Sequence, residues 1–332
     1  MKVAIITITK NSQDLADKIL EDLKEDPTIF GVDIFNKNVK KTLESIFNKY
    51  DCIIGIMATG IMVRNICSLT KNKIEDPAVL VIDDAGKHVI SLLSGHFGGA
   101  NEIAKKIAGI TGADPVITTA TDVHGKIGID SLAKKYYLSI NNPKKVKVIN
   151  SALVHDNNPE LLVPPQFGFI LDDPQVKISY NGFKSNNNDF KVSFDDTEVI
   201  LNPEKLVVGI GTRKNISKEN IEKAVKMALN ILELPIERID MVSTGEMKKN
   251  EMGIIETASE FGVSLEIIPI TELKNFNCGE CTKSPFVREK FGIWGVCEPS
   301  ALIAAGKNSK LIFKKTSFDG VTIAVAVSSS DI

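Results

Sequence analysis

Four short loops carry most of the side chains that could do chemistry. They are Thr59-Gly60 with Arg64 one helical turn on, Asp83-Asp84-Ala85-Gly86, Ser94-Gly95-His96-Phe97-Gly98-Gly99 followed by Asn101, and Thr118-Thr119 with Thr121-Asp122. His96 supplies a group that titrates near neutrality, at about 6.5 when unperturbed. Its flanking glycines let a ligand come close to the backbone. The amides of Gly98 and Gly99, just ahead of a helix, could receive an anion or an oxyanion. Arg64 could grip a carboxylate bidentately, and the hydroxyls of Thr59 and Thr119 suit carboxylate or amide partners. Further on, Arg213 and Lys248 are candidate carboxylate anchors, and Glu298 is a candidate acid or helix-start residue ahead of Pro299. Each of these types has a second use. Asp83 and Asp84 favour turns, and Thr119, Asp122 and Glu298 also suit caps.

The elements that must hold these loops alternate between strand and helix. Val3–Thr7 is a buried β-run, and Ser12–Leu23 repeats apolar residues at helical spacing, with Asn11 or Ser12 as its N-cap. Cys52–Met57 reads as a central strand leading into a helix over Gly60–Leu69. Ala78–Ile82 and His88–Leu93 form a strand pair around the Asp83–Gly86 turn. A helix over Ala100–Ile110 and a strand at Val116–Thr118 complete the pattern. Each reactive loop falls where a strand ends, and open α/β sheets collect ligands at the carboxyl ends of their strands. One site assembled from several loops is therefore expected.

Three domains are expected: a three-layer α/β domain over 1–125, a small mixed α+β module over 126–203, and a second α/β domain over 204–332. In the middle module, Leu161–Leu171, Val176–Ser179, Phe190–Ser193 and Glu198–Leu201 read as short β-runs. Lys145–Val154 is apolar but ambiguous in type, and the Asn-rich stretch 185–189 reads as a solvated hairpin tip. In the last domain, Ser217–Leu232 is a clear amphipathic helix, and Ile236–Val242 reads as a strand. Gly209-Ile210-Gly211 is too short for a dinucleotide fingerprint, because Lys214 stands where the third glycine belongs.

Composition narrows the function. A net charge of −2, from 40 basic and 42 acidic residues, argues against a general nucleic-acid binder. No apolar run approaches the roughly 18 residues that cross a bilayer. The first residues, MKVAIITIT, lack a cleavage pattern and read as a core strand. With five cysteines, an odd number, these features suit a cytoplasmic protein. The single Cys278-Gly279-Glu280-Cys281 motif is a weak metal or redox signal, since a structural zinc site wants four ligands.

The segments MATGIMVRNI, DPAVLVIDDAG, LLSGHFGGAN and ITTATD occur in this order between Met57 and Asp122. With VVGIGTRKNIS and GVCEPSALIAAG later, the chain resembles the CbiG family of cobalamin biosynthesis. The last third is similar to the shared CobE/CbiG C-terminal domain through GIGTRK, the Lys248–Glu251–Gly253 stretch, CEPSA and the final TIAVA strand. The resemblance implies a cobalt-precorrin-5A hydrolase. Such an enzyme opens a lactone between the ring A acetate and the ring-contraction carbon of a cobalt tetrapyrrole, and that carbon leaves with its methyl group as acetaldehyde. No separate cofactor and no protein-bound metal are implied, because the cobalt belongs to the substrate.

Such a reaction asks for a base, an oxyanion site and anchors for several carboxylates. His96 is the expected base, with Asp84 orienting it or activating water. Substrate binding is expected from Thr59, Gly60, Arg64, Ser94, Gly98, Gly99, Asn101, Thr119, Asp122, Arg213, Lys248 and Glu298. The partners implied are the tetrapyrrole and, transiently, other cobalamin-biosynthesis enzymes. No nucleic acid or membrane is implied. The competing reading is a non-catalytic corrinoid carrier or a subunit of a biosynthetic complex.

Overall fold

The first strand has no polar face. Val3 and Ile5 enter one apolar core, while Ala4 and Ile6 enter another on the opposite side. A strand apolar on both faces is one that helices cover on both sides. The computed structural model, which describes residues 1–36, 38–72 and 75–328, supplies those helices. In chain order it runs β1 (Lys2–Thr7), α1 (Lys10–Glu25), β2 (Gly31–Asn36), α2 (Val39–Ile46), β3 (Cys52–Ile56), α3 (Thr59–Ile66), β4 (Ala78–Ile82), β5 (His88–Leu93), α4 (Ala100–Thr111) and β6 (Asp114–Val116). Ala16, Ile19 and Leu23 of α1 share one core with Ile103, Ala104 and Ile107 of α4. Leu43 and Ile46 of α2 share the other with Met62 and Ile66 of α3. The result is the three-layer arrangement expected. Two short helices follow, α5 (Ala120–Val123) and α6 (Ile129–Lys135).

The sheet order is β2-β1-β3-β4-β5-β6. β2, β1, β3 and β4 are mutually parallel. β5 runs antiparallel to β4, as the strand pair in the sequence predicts, and β6 is parallel to β5. Thr9 rather than Asn11 or Ser12 caps α1: its hydroxyl accepts from the Ser12 amide at 3.0 Å, and Ser12 Oγ accepts from the Thr9 amide at 2.9 Å. This reciprocal capping box fixes the helix start.

The chain divides into two compact units, Met1–Ser131 with Leu153–Asn157, and Leu132–Ala152 with the described residues from Asn158 onward. The second unit holds two sheets. Its earlier elements are β7 (Leu138–Ile140), α7 (Val146–Val154) except its last two residues, β8 (Glu160–Val163), α8 (Pro174–Ser179), β9 (Asn181–Lys184), β10 (Lys191–Phe194) and β11 (Thr197–Pro203), with sheet order β7-β11-β10-β8-β9. Its later elements are β12 (Leu206–Thr212), α9 (Lys218–Ile231), β13 (Met241–Gly245), α10 (Met252–Glu260), β14 (Ser264–Ile268), α11 (Ile270–Asn275), α12 (Pro285–Phe291), α13 (Cys297–Ala305), β15 (Lys310–Phe318) and β16 (Val321–Val327), with sheet order β14-β13-β12-β16-β15.

Buried Arg238 ties the two parts of this unit together. It donates to the carbonyls of Tyr136 at 2.7 Å, Tyr137 at 3.2 Å and Glu204, and pairs with Asp240 at 2.7 Å. Gly209 has a packing role: a Cβ there would stand 2.0 Å from the Cys297 carbonyl oxygen. Glycine lets α13 press onto β12, and a Cβ on Gly211 would meet Thr322 Oγ1 of β16 at 2.5 Å, so packing accounts for both glycines without any nucleotide.

Several elements differ from the sequence reading, each for a local reason. Leu161–Leu171 is not one strand. Pro164-Pro165 ends β8, and residues 165–172 continue as a 3-10 turn. Val176–Ser179 belongs to helix α8, which Asp173 caps by accepting from the Gln175 amide, with Pro174 at the first helical position. Ile236–Arg238 is a 3-10 turn after Pro235, so the strand begins only at Met241. Residues 185–189 are not a hairpin tip, since β10 pairs with β8 and not with β9. The ambiguous apolar stretch is helix α7.

Candidate active site

The reversal of β5 sorts the reactive loops onto two edges of the first sheet. β3 and β4 end at Ile56 and Ile82, and Thr59 and Asp84 follow there, at the carboxyl edge. β5 runs back, so its last residue, Leu93, pairs with Val79 near the start of β4. The loop from Ser94 to Gly99 therefore lies at the amino edge. β6 runs with β5 and delivers Thr119 and Asp122 to that same edge. Five residues of strand, at about 3.3 Å each, put roughly 16 Å between the edges. The expected single site is thus two groups, with His96 in one and Asp84 in the other.

At the amino edge, His96 stands between two carboxylates. Its Nε2 is 2.7 Å from Asp122 Oδ2, and its Nδ1 is 3.1 Å from Asp130 Oδ2. Thr121 Oγ1 lies 3.4 Å from Nε2. Asn101, fully buried at the start of α4, donates to Asp122 Oδ2 and to Thr119 Oγ1, both at 3.1 Å, and its own oxygen accepts from Ser91 Oγ at 2.6 Å. The glycines make this closeness possible. A Cβ on Gly95 would meet Asn101 Oδ1 at 2.7 Å, and one on Gly98 would meet Ser94 Cβ at 2.6 Å and the Ala78 amide at 3.0 Å.

Burial alone would lower the His96 pKa, but hydrogen bonds to Asp122 and Asp130, and their charges, push it up to about 9. Both ring nitrogens are therefore protonated at neutral pH, and each donates to a carboxylate. A ring in this state cannot take a proton from water, so the expectation of a neutral His96 base does not fit the geometry. The orienting carboxylates are Asp122 and Asp130, not Asp84. Asp122 is the member that reaches solvent: its side chain is 24% exposed, against 8% for His96 and 5% for Asp130.

The turn into α4 uses its own first donors. The amides of Ala100 and Asn101 donate to the carbonyls of Ser94 and Gly95. The amides of Gly98 and Gly99 have no backbone acceptor among the described residues. Ser94 sits in the left-handed region at φ 55°, and its hydroxyl oxygen is buried with no protein partner among the described residues.

The other expected residues of the first unit lie at the carboxyl edge. Asp84 accepts from Thr9 and, at 3.5 Å, from Asn11, which ties the β4–β5 turn to the start of α1. Asp83 is a turn residue whose oxygens accept from the amides of Ala85, Lys87 and His88. Thr59 and Gly60 open α3 at the carboxyl edge, and Arg64 folds back over Gly60. In the second unit Arg213 is exposed, while Lys248 pairs with Glu251 at 3.0 Å. Glu298 is 1% exposed and accepts from the Thr282 amide and hydroxyl and from the Lys315 amide. It ties a loop and a strand to α13. Cys278 and Cys281 are joined by a disulfide, and the Cys297 thiol, pushed up to about 12 by burial, stands apart from them.

The residue that sequence reasoning missed is Asp130. Its signal was an acidic side chain between Ile129 and Leu132, both fully buried, at a position that reads equally well as a first-turn acid of α6.

The charged triplet has a consequence for stability. The folded chain holds His96 protonated to a higher pH than the unfolded chain does. The stabilisation is therefore complete below about pH 6.5 and is lost as the pH rises through about 9. Urea unfolding of the wild type should show a loss on the order of 3 kcal/mol across that window, and His96→Gln should flatten it. A wild-type profile as flat as that of the variant would mean that the ring is neutral in the fold.

Comparison with known proteins agrees with this architecture. The chain matches the family model described as Cobalamin synthesis G N-terminal over residues 41–122 and the one described as Cobalamin synthesis G C-terminus over residues 206–326. The first match contains all four reactive loops. The chain is 34% identical to the probable cobalt-precorrin-5A hydrolase of Methanocaldococcus jannaschii, over 98% of this chain and 99% of that protein. It is 28% identical to the cobalt-precorrin-5A hydrolase of Priestia megaterium, over 98% and 94%. A crystal structure of a cobalamin biosynthesis protein G homolog from Sulfolobus solfataricus superposes with a TM-score of 0.59 at 28% identity, covering 99% of this chain and 97% of that one. With both family models matched in order and a relative similar along nearly its whole length, this chain belongs to the cobalamin synthesis G (CbiG) family.

Proposed function

We propose that the chain is a hydrolase of cobalamin biosynthesis that opens the lactone of cobalt-precorrin-5A, and that Asp122 is the base that activates water. What supports the reaction is the name carried by relatives along the full length of the chain. The observation that carries the site is the linear arrangement Asp130–His96–Asp122, with only its last carboxylate reaching solvent.

The roles follow from that arrangement. One oxygen of Asp122 is held by His96 and Asn101, and the other oxygen takes neither bond and is the one offered to water. The imidazolium keeps Asp122 aimed, and Asp130 supplies the counter-charge that keeps the ring protonated. His96 and Asp130 are thus positioning residues. The amides of Gly98 and Gly99 are the donors offered to the lactone oxyanion, and one such donor is worth about 3–4 kcal/mol when well placed.

Water adds to the lactone carbonyl as Asp122 takes its proton. The acyl carbon–oxygen bond then breaks, which restores the ring A acetate and leaves a hydroxyl on the ring-contraction carbon. As that hydroxyl becomes an aldehyde, the bond from this carbon to the macrocycle breaks. The electron pair stays with the macrocycle and takes up a proton, and acetaldehyde leaves. One water enters and one acetaldehyde departs, with no redox change and no cofactor beyond the cobalt that the substrate carries.

The test is direct. Purified protein incubated with cobalt-precorrin-5A should release one acetaldehyde per substrate consumed. Folded protein that binds the substrate and releases none would overturn the reading in favour of a carrier.

A further inference from the structure

The hydrogen-bond directions around Asn101 leave one proton of the amino-edge cluster without an acceptor. Asn101 is fully buried, and an amide nitrogen donates two bonds and accepts none. A carboxylate only accepts, so the nitrogen is the atom that faces Asp122, at 3.1 Å. The amide oxygen then faces Ser91, whose hydroxyl donates to it at 2.6 Å. The second amide hydrogen goes to Thr119 Oγ1, also at 3.1 Å. Thr119 is therefore the acceptor in that bond. Its own hydroxyl hydrogen meets no protein acceptor among the described residues. Thr119 stands at the N-cap position of α5, where a threonine hydroxyl commonly accepts from helix amides, yet it makes no such bond. The residue is half-buried and not sealed in the core. A hydroxyl with its lone pair engaged and its hydrogen free is a donor held ready for an oxygen of a ligand.

We propose that Thr119 is a second catalytic residue of this site, donating a hydrogen bond to the lactone oxygen that leaves as the ring opens, and that Asn101 is the positioning residue that turns it. The inference rests on the hydrolase reading above and gives that reaction a donor to its leaving group. Asp122 takes a proton from the attacking water. When the acyl carbon–oxygen bond breaks, its electron pair stays on the lactone oxygen, and Asp122 returns the proton there. Thr119 keeps its own proton throughout and contributes only the hydrogen bond. Thr119 Oγ1 and Asp122 Oδ2 both accept from Asn101 Nδ2, so they stand no further apart than two such bonds laid end to end. One buried amide thus sets a donor and a base side by side. The Gly98 and Gly99 amides keep the other task, at the carbonyl oxygen. A hydrogen bond to a developing alkoxide is stronger than one to an ester oxygen, so the donor acts on the chemical step more than on binding.

Thr119→Val keeps the branched shape and removes the donor, while Thr119→Ser keeps the donor. Steady-state and single-turnover release of acetaldehyde from cobalt-precorrin-5A would be followed for both variants and the wild type. The expected result is a loss of about 10–100-fold in kcat for Thr119→Val, the size of one hydrogen bond to a charged oxygen. KM should stay near the wild-type value, and Thr119→Ser should recover most of the rate. An NMR titration of His96 accompanies the kinetics. It should match the wild type in both variants, because Asp122 and Asp130 are in place. Should the valine variant fail to fold, Thr119→Cys fills similar space with a weaker donor and is expected to be slow where Thr119→Ser is fast.

A wild-type kcat for folded Thr119→Val would overturn the proposal, as would a serine variant as slow as the valine one. A slow valine variant with a shifted His96 titration would show that Thr119 only props the site, which also overturns the donor role. The two readings fail differently. A wild type that turns over at a rate indifferent to Thr119 loses the donor alone, and a wild type that releases no acetaldehyde loses the hydrolase reading and the donor with it.

Discussion

Asp122→Asn is expected to lower kcat for acetaldehyde release by about 10²–10⁴-fold, the usual contribution of a positioned general base. The substitution preserves shape. An Asn oxygen can still accept from His96 Nε2 and from Asn101 Nδ2, the two donors that Asp122 Oδ2 now receives. What it removes is the charge, and with it the ability to take a proton from water. KM should change little, because the site that holds the rest of the substrate is untouched. A purely structural Asp122 would give the opposite pattern, with loss of stability at nearly full kcat. The variant would also leave His96 with one carboxylate in place of two, so its ring should titrate lower, which an NMR titration of the imidazole would show.

The second large effect concerns the fold. Arg238→Ala should destabilise the second unit by about 2–4 kcal/mol, the cost of losing a buried side chain and its charge-assisted hydrogen bonds. The side chain is 1% exposed. Its loss would remove one donor from each of the carbonyls of Tyr136, Tyr137 and Glu204 and deprive Asp240 of its ion partner. Asp240 also accepts from the Leu206 amide at 2.7 Å, which starts β12, so the damage should reach the last sheet. Arg213→Ala, an exposed cation in the same unit, should stay within about 0.5 kcal/mol of wild type. Urea midpoints for the two variants provide the comparison. A shift for Arg238→Ala no larger than that for Arg213→Ala would mean that the network carries no net stability.

Local pattern was enough to read the α/β character of both ends of the chain, because strands buried on both faces and helices with one apolar face announce themselves residue by residue. Even the β4–β5 pair was legible from two apolar runs around Asp83–Gly86. Its consequence was not: an antiparallel β5 carries the Ser94–Gly99 loop to the edge opposite Thr59 and Arg64. That separation depends on sheet order and strand direction, which no window of neighbouring residues contains. For the same reason Asp84 looked like a partner for His96, although the true partners, Asp122 and Asp130, lie 26 and 34 residues further on. The errors in the middle stretch were of another kind. Asp173-Pro174 is a helix start and Pro164-Pro165 a strand stop, so the signals were present, but β-branched residues at 176 and 178 outweighed them. Glu298 and Lys248 looked available because a sequence shows charge and not what already neutralises it.

With enzyme in excess over cobalt-precorrin-5A, acetaldehyde trapped and timed over a single turnover separates chemistry from binding and product release. Run side by side on wild type and Asp122→Asn, with the substrate fully bound to both, the expected result is a complete turnover by the wild type and a rate at least about 100-fold slower for the variant. Overlapping time courses would remove Asp122 from the chemical step and contradict the assignment of the amino-edge carboxylate as the base.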